Sequence, residues 1–427
     1  MIPEPWPAPH AGGPVDAVIT VPGSKSVTNR ALVIAALAEA PSVLHRPLRS
    51  RDTLLMATGL RALGSHIEDV DDGDWAVEPG LFKGDVQVDC GLAGTVMRFL
   101  PPVATLADGP VRFDGDPRAR ERPMRPLMEA LRDLDVRVDD DGRGTLPFTV
   151  DSGGEARGGR VRLDASASSQ FVSALLLTGA AWPHGIAVHH VGPPVPSLPH
   201  IAMTVAMLRA AGAGLDDSEP GVWRVHPSLL HPGDVVIEPD LSSAAPFLAG
   251  ALLTAGRVVV RDWPAVTTQA GAALPDLLRA LGAEVSHGPD GLTVTGTGTI
   301  RGLDADLHDV GELTPVLAAL AALAESPSTL HGIAHLRGHE TDRLAALADE
   351  LGGLGGDVTQ TPDGLRIRPA ALHAGTFGTH DDHRLAHAGA VLGLAVPGVL
   401  VENIATTTKT LPDFPGLWAA LLAGRAR

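Results

Sequence analysis

Cysteine, tyrosine, asparagine and lysine are nearly missing from this 427-residue chain. The one cysteine, Cys90, excludes a disulfide within the chain and fits a reducing compartment. There is no tyrosine, and Asn29 and Asn403 are the only asparagines. Of 33 basic residues only Lys25, Lys83 and Lys409 are lysine, so arginine serves wherever a generic cation will do. A lysine kept in such a chain points to a place that wants a compact charge able to pass a proton. Basic excess is also missing. The formal net charge of −17 argues against nucleic acid or an anionic membrane as partner. The longest apolar run, residues 385–401, is interrupted by His387 and Pro397 and does not read as a membrane span. Residues 1–14 are rich in proline and lack the basic and apolar regions of a signal peptide, so a cytoplasmic protein is expected. There is no HExxH, no CxxC pair and no dense histidine cluster, so no metal is expected. The G-x-S-x-G nucleophile turn is missing too.

What is present begins at Pro22-Gly23-Ser24-Lys25-Ser26-Val27-Thr28-Asn29-Arg30, between a β-branched run and the apolar stretch Ala31 to Ala38. A polar turn entering a helix offers free backbone N–H groups and a positive dipole end to an anion. Lys25, Arg30 and three hydroxyls share that turn, which is the chemistry of a phosphate or carboxylate site. A nucleotide-binding P-loop is a poor match, because Lys25 follows serine rather than glycine. The plain alternative is a capped helix with surface charge.

The same arrangement, a polar turn and then a small-residue apolar helix, recurs at residues 24, 94, 168, 242, 312 and 382, spaced 70 to 74 apart. A fixed period marks a repeated supersecondary unit. Several copies continue with a second helix ending in glycine, as at Gly64, Gly212 and Gly282, and then with short alternating strands. Each copy reads as βαβαββ, and six copies divide into two domains of three with a seam near residues 235–240. Polar stretches cluster at the helix starts: Glu121-Arg122-Pro123, Ser168-Ser169-Gln170, Ser197, Glu312, Gly338 to Arg343, Asp381 to Arg384, and Thr408-Lys409-Thr410. Arg122 is expected at a helix start with Pro123 at its first position, and Asp304 and Asp306 in a loop. Any one acidic residue in a first turn only complements the helix dipole. Symmetry changes the weight of the set, because equivalent turns converge at one end of each domain. Lys25, Arg30 and Arg122 would gather in one domain; Glu312, Glu340, Arg343, Arg384 and Lys409 would gather in the other.

In order along the chain, the Pro22 to Arg30 turn, Ala93-Gly94-Thr95-Val96-Met97-Arg98, Arg120 to Pro123, Ser168 to Phe171, Glu340 to Arg343, Asp382 to Arg384 and Lys409 to Asp413 resemble the motif series of the 3-phosphoshikimate 1-carboxyvinyltransferase (EPSP synthase) family. The resemblance covers almost the whole chain. It implies an α/β fold, a two-domain inside-out α/β barrel, with residues 19–237 as one domain and 1–18 plus 238–427 as the other, closing on a hinge at the crossovers. The implied reaction joins phosphoenolpyruvate to the 5-hydroxyl of shikimate 3-phosphate by addition and elimination, with no cofactor. It also implies glyphosate as a competitor of phosphoenolpyruvate, and a monomer is expected.

By the same resemblance Lys25 touches both substrates. Ser26, Arg30, Ser168, Ser169, Ser197 and His339 hold shikimate 3-phosphate, with Gln170 shared. Gly94, Arg122, Arg343, Arg384 and Lys409 bind phosphoenolpyruvate. Glu312 takes the hydroxyl proton, and Glu340 and Lys25 complete the catalytic set. Glu312 stands where aspartate is common and His200 where tyrosine often lies. His339 replaces a frequent lysine and would make its contact pH-dependent near about 6.5. A sister enolpyruvyl transferase acting on UDP-N-acetylglucosamine typically carries a reactive cysteine after its Arg-rich segment, whereas Cys90 precedes Gly94. A non-catalytic anion-binding repeat protein would need arginines but not Glu312 and Glu340.

Overall fold

The spacing of the polar turns follows from a repeated motif in the computed structural model, which describes residues 4–424. In the second copy a strand at Val86–Asp89 leads into a helix and returns as a parallel strand at Val111–Asp114. A second helix follows. The antiparallel strands Arg137–Asp139 and Phe148–Asp151 then complete a four-stranded sheet. The third and fifth copies repeat this order. Asp304 and Asp306 lie in the leading strand of the fifth copy, parallel to Ser328–His331, and not in a loop as expected. Sheet pairing to a distant partner, which local sequence does not reveal, holds them there.

The helices are α1 (Lys25–Ala36), α2 (Arg51–Ala62), α3 (Gly94–Ala104), α4 (Arg125–Asp133), α5 (Gln170–Gly179), α6 (Leu198–Ala210), α7 (Leu241–Thr254), α8 (Leu274–Ala280), α9 (Thr314–Ala322), α10 (Arg343–Gly353), α11 (His383–Ala395) and α12 (Phe414–Leu422). The odd-numbered ones have small or apolar residues on every side, and every residue of α3 and α9 is buried. A helix with no polar face has nowhere to go but the interior. The even-numbered ones are half-buried; α4 covers only Leu127, Met128, Ala130 and Leu131. Thus α1, α3 and α5 pack together at the centre of one unit, and α7, α9 and α11 at the centre of another. The sheets lie outside them, with alternate side chains turned inward, as in Val111–Asp114. Each unit has its own apolar core.

One unit is Gly23–Ile237; the other joins the residues before Gly23 to those from Glu238 onward. At both crossings the leading strand pairs away from the helix that follows it in sequence. Asp16–Ile19 precedes α1 but runs parallel to Arg257–Val260, the strand after α7. Val235–Val236 precedes α7 but runs parallel to Leu44 and His45, after α1. Ile19 therefore belongs to the sheet of the second unit. The sixth copy is closed by Trp6–Pro7, which pairs antiparallel with Val399–Val401. Among the described residues no helix is long and apolar enough to cross a membrane.

Candidate active site

In the Gly23–Ile237 unit the starts of α1, α3 and α5 are tied into one polar end. Ser24 caps α1 by accepting from the Val27 amide, which leaves Lys25 and Ser26 in the first turn. Asn29 on α1 donates to Thr95 on α3 at 2.8 Å, and Arg98 on α3 donates to the Gln170 side chain on α5 at 3.1 Å. Arg30 is buried. Its guanidinium donates to Thr204 at 2.7 Å and to the carbonyls of Ser26 and His200 at 3.0 Å each. Lys25 lies 3.8 Å from the buried Asp52 carboxylate. Ser168 turns the chain so that its hydroxyl accepts from the Gln170 amide at 3.3 Å, and Ser169 takes the N-cap position of α5. Ser197 caps α6 in a left-handed conformation, φ +56°, that serine seldom adopts.

Arg122 is placed differently from expectation. A turn of 3-10 helix, Ala119–Glu121, delivers it in extended conformation, and α4 starts only at Arg125. Pro126 rather than Pro123 occupies the first turn of that helix. The result sets the Arg122 guanidinium against α3: a Cβ on Gly94 would lie 3.1 and 3.2 Å from its two terminal nitrogens and 2.8 Å from Arg98. Arg122 is 7% exposed, and its Nε and Nη1 find no hydrogen-bond partner among the described residues. A buried cation without an internal partner is held at a cost unless an anion reaches it.

The second unit gathers charges of both signs at the starts of α9, α10 and α11. Glu312 sits in a 3-10 turn, Gly311–Leu313, just before α9. It accepts from Ser242 at 3.2 Å and from Arg384 at 3.5 Å. Glu340 accepts from Lys409 at 2.7 Å and from Arg343 at 3.0 Å. Arg343 also grips Asp382 in bidentate fashion, at 2.7 and 3.2 Å. Burial works against its charge, but Asp382 and Glu340 outweigh that and hold Arg343 protonated above its ordinary range. Asp382 caps α11 through the Arg384 amide at 2.8 Å, so one carboxylate orients both arginines. Lys409 ends a 3-10 turn, Ile404–Lys409, instead of starting a helix. His339 Nδ1 lies 3.2 Å from Arg343; arginine can only donate, so that nitrogen accepts.

Sequence reasoning assigned no role to Arg98, Asp52, Asp382 or His335. Arg98 stands one turn after Gly94, and long side chains on a helix lean toward its start. That spacing could have revealed it. His335 could not have been found so, because it is brought in by packing between the rings of His308 and His339, 5.9 and 5.8 Å away. Burial, with the neighbouring His308 and Arg343, pushes its pKa down to about 4. Cys90 is fully buried, and burial followed by Asp89 and Asp114 pushes its thiol up, so no reactive thiolate forms there.

A family model for EPSP synthase (3-phosphoshikimate 1-carboxyvinyltransferase) matches residues 9–418. The chain belongs to this family. It is 52% identical to the curated 3-phosphoshikimate 1-carboxyvinyltransferase of Kocuria rhizophila, over 98% of this chain and 96% of that one. Among solved structures it resembles EPSP synthase from Acinetobacter baumannii, with 26% identity, TM-score 0.78 and 96% of each chain covered. The enolpyruvyl transferase NikO from Streptomyces tendae, at 22% identity and TM-score 0.76 over 96% of each chain, shares the fold.

Proposed function

We propose that this EPSP synthase family member transfers the enolpyruvyl group of phosphoenolpyruvate to the 5-hydroxyl of shikimate 3-phosphate, releasing phosphate, on the route to aromatic amino acids. The observation that carries the reading of the site is Arg122, a buried guanidinium with two nitrogens unpartnered among the described residues. On this reading it receives phosphoenolpyruvate together with Lys25, Gly94, Gln170, Arg343, Arg384 and Lys409. Shikimate 3-phosphate is held by Lys25, Ser26, Ser168, Ser169, Gln170, Ser197, Glu312 and His339. Arg30, with its guanidinium engaged within the protein, acts by fixing the α1 start on which Lys25 and Ser26 stand.

The chemistry follows from the residue types. Glu312 takes the proton of the 5-hydroxyl while its oxygen bonds to C2 of phosphoenolpyruvate, and an acid at the Glu340–Lys409 pair protonates C3. The C3 proton is then withdrawn as the C2–O bond to phosphate breaks, which restores the double bond. Lys25 and the arginines neutralise phosphate and carboxylate and fix the approach of the two reactants. Glyphosate, itself an anion, competes at the phosphoenolpyruvate subsite, and the enzyme acts as a cytoplasmic monomer.

Glu312→Gln tests the assignment. It keeps the shape and the bond from Ser242 but cannot accept a proton, so turnover should fall by about 10²–10⁴ while shikimate 3-phosphate still binds. Near-normal turnover would reduce Glu312 to a structural link between α7 and α11.

A further inference from the structure

Asn403 is one of two asparagines in the chain, and nothing in the proposed reaction uses it. It stands where the strand Val399–Val401 passes into the 3-10 turn that ends at Lys409. Its side-chain nitrogen lies 3.3 Å from Asp381 Oδ1. A carboxylate can only accept, so the amide nitrogen faces it; the amide oxygen is buried and takes no hydrogen bond among the described residues. The Asn403 carbonyl accepts from the Thr406 amide at 3.3 Å and the Thr406 hydroxyl at 2.9 Å. Thr407 and Thr408 repeat that hydroxyl-to-carbonyl bond along the turn, each at 2.7 Å.

The partner of Asn403 lies on a strained segment. His380 and Asp381 are consecutive non-glycine residues at φ +49° and +55°, immediately before Asp382 caps α11. Glu350 on α10 holds the other side of this segment, accepting from the Gly378 amide at 2.6 Å and His380 Nε2 at 2.8 Å. The turn that positions Asp382, and through it Arg343 and Arg384, thus meets the turn that positions Lys409 at the Asn403–Asp381 bond. We infer that Asn403 is a positioning residue that locks the Lys409 turn to the Asp382 turn, so that Arg343, Arg384 and Lys409, the phosphoenolpyruvate cations of this unit, are set as one body. This rests on the assignment of those cations to phosphoenolpyruvate.

The test compares Asn403→Asp with the exchanged pair Asp381→Asn/Asn403→Asp. The single change sets two carboxylates against each other, and the exchange restores a donor–acceptor pair. KM for phosphoenolpyruvate should rise about tenfold in the single variant, with KM for shikimate 3-phosphate within about twofold, and most of the loss should return in the exchanged pair. A second readout needs no turnover. Lys25, Lys83 and Lys409 are the only lysines, so acetic anhydride labelling read by mass spectrometry reports each separately. Lys409, 8% exposed in the native protein, should label faster in Asn403→Asp and return to the native rate in the exchanged pair, while Lys25 is unchanged. Unchanged Lys409 labelling and KM in Asn403→Asp would overturn the inference. So would equal effects on both substrates with no recovery on exchange, which mark a general loss of structure. If labelling responds as stated but wild type transfers no enolpyruvyl group, the lock stands and the reading of its function fails.

Discussion

At the scale of single residues, Gly94 is the most demanding position. Its missing side chain lets Arg98 and Arg122 lie against the start of α3, at distances too short for a methyl group to share without displacement. Guanidinium ends can swing, so Gly94→Ala should fold and should shift Arg122 within its pocket. KM for phosphoenolpyruvate should rise modestly. The inhibition constant of glyphosate, the longer molecule, should rise far more in inhibition curves at several phosphoenolpyruvate concentrations. Equal proportional changes would mean that Gly94 serves only to start the helix.

At the scale of elements, the central helices pack too closely to take added bulk at their glycines. A Cβ on Gly393 of α11 would fall 2.3 Å from the Cβ of Ala8, in the segment whose amide pairs with Val399. Gly393→Ala should force that N-terminal segment outward and destabilise the protein by about 1–3 kcal/mol, read as a lower denaturation midpoint. An unchanged midpoint would mean that the segment contributes little to the sixth copy. The helices themselves were legible because each starts with a polar turn and continues with small apolar residues at a constant period. Strand partners were not. Nothing in Asp16 to Ile19 says that it pairs beyond α7 rather than beside α1, since pairing is decided by distant residues. Arg122 and Lys409 were singled out as candidates by residue type, yet both were expected at helix starts. Short 3-10 turns carry them instead, and such turns have no periodicity to read. His335 gave no signal at all.

At the scale of the whole molecule, buried neutral histidines weaken the fold as pH falls. His387 is fully buried in α11, its ring tilted against Phe414 with centroids 4.9 Å apart and neither ring nitrogen hydrogen-bonded among the described residues. Burial, and then the Arg384 charge, hold its pKa well below the ordinary value. The unfolded chain protonates this imidazole below pH ~6.5 whereas the native state does not, so stability is complete above that pH and falls as pH drops. His335 adds the same effect down to about pH 4. Each contributes a slope of about 1.4 kcal/mol per pH unit at most. His387→Leu should flatten the fall in stability between pH 6.5 and 5 in urea titrations. Parallel curves for variant and wild type would assign that fall to other groups.

The claim that joins these scales is that the cations and carboxylates at the two sets of helix starts serve one transfer reaction. Phosphate release from phosphoenolpyruvate, followed with shikimate 3-phosphate, with UDP-N-acetylglucosamine and with no acceptor, tests it most directly. Release should require shikimate 3-phosphate, match 5-enolpyruvylshikimate 3-phosphate formation mole for mole, and collapse in Glu312→Gln. Release that depends on UDP-N-acetylglucosamine instead, or none with either acceptor, would contradict the account.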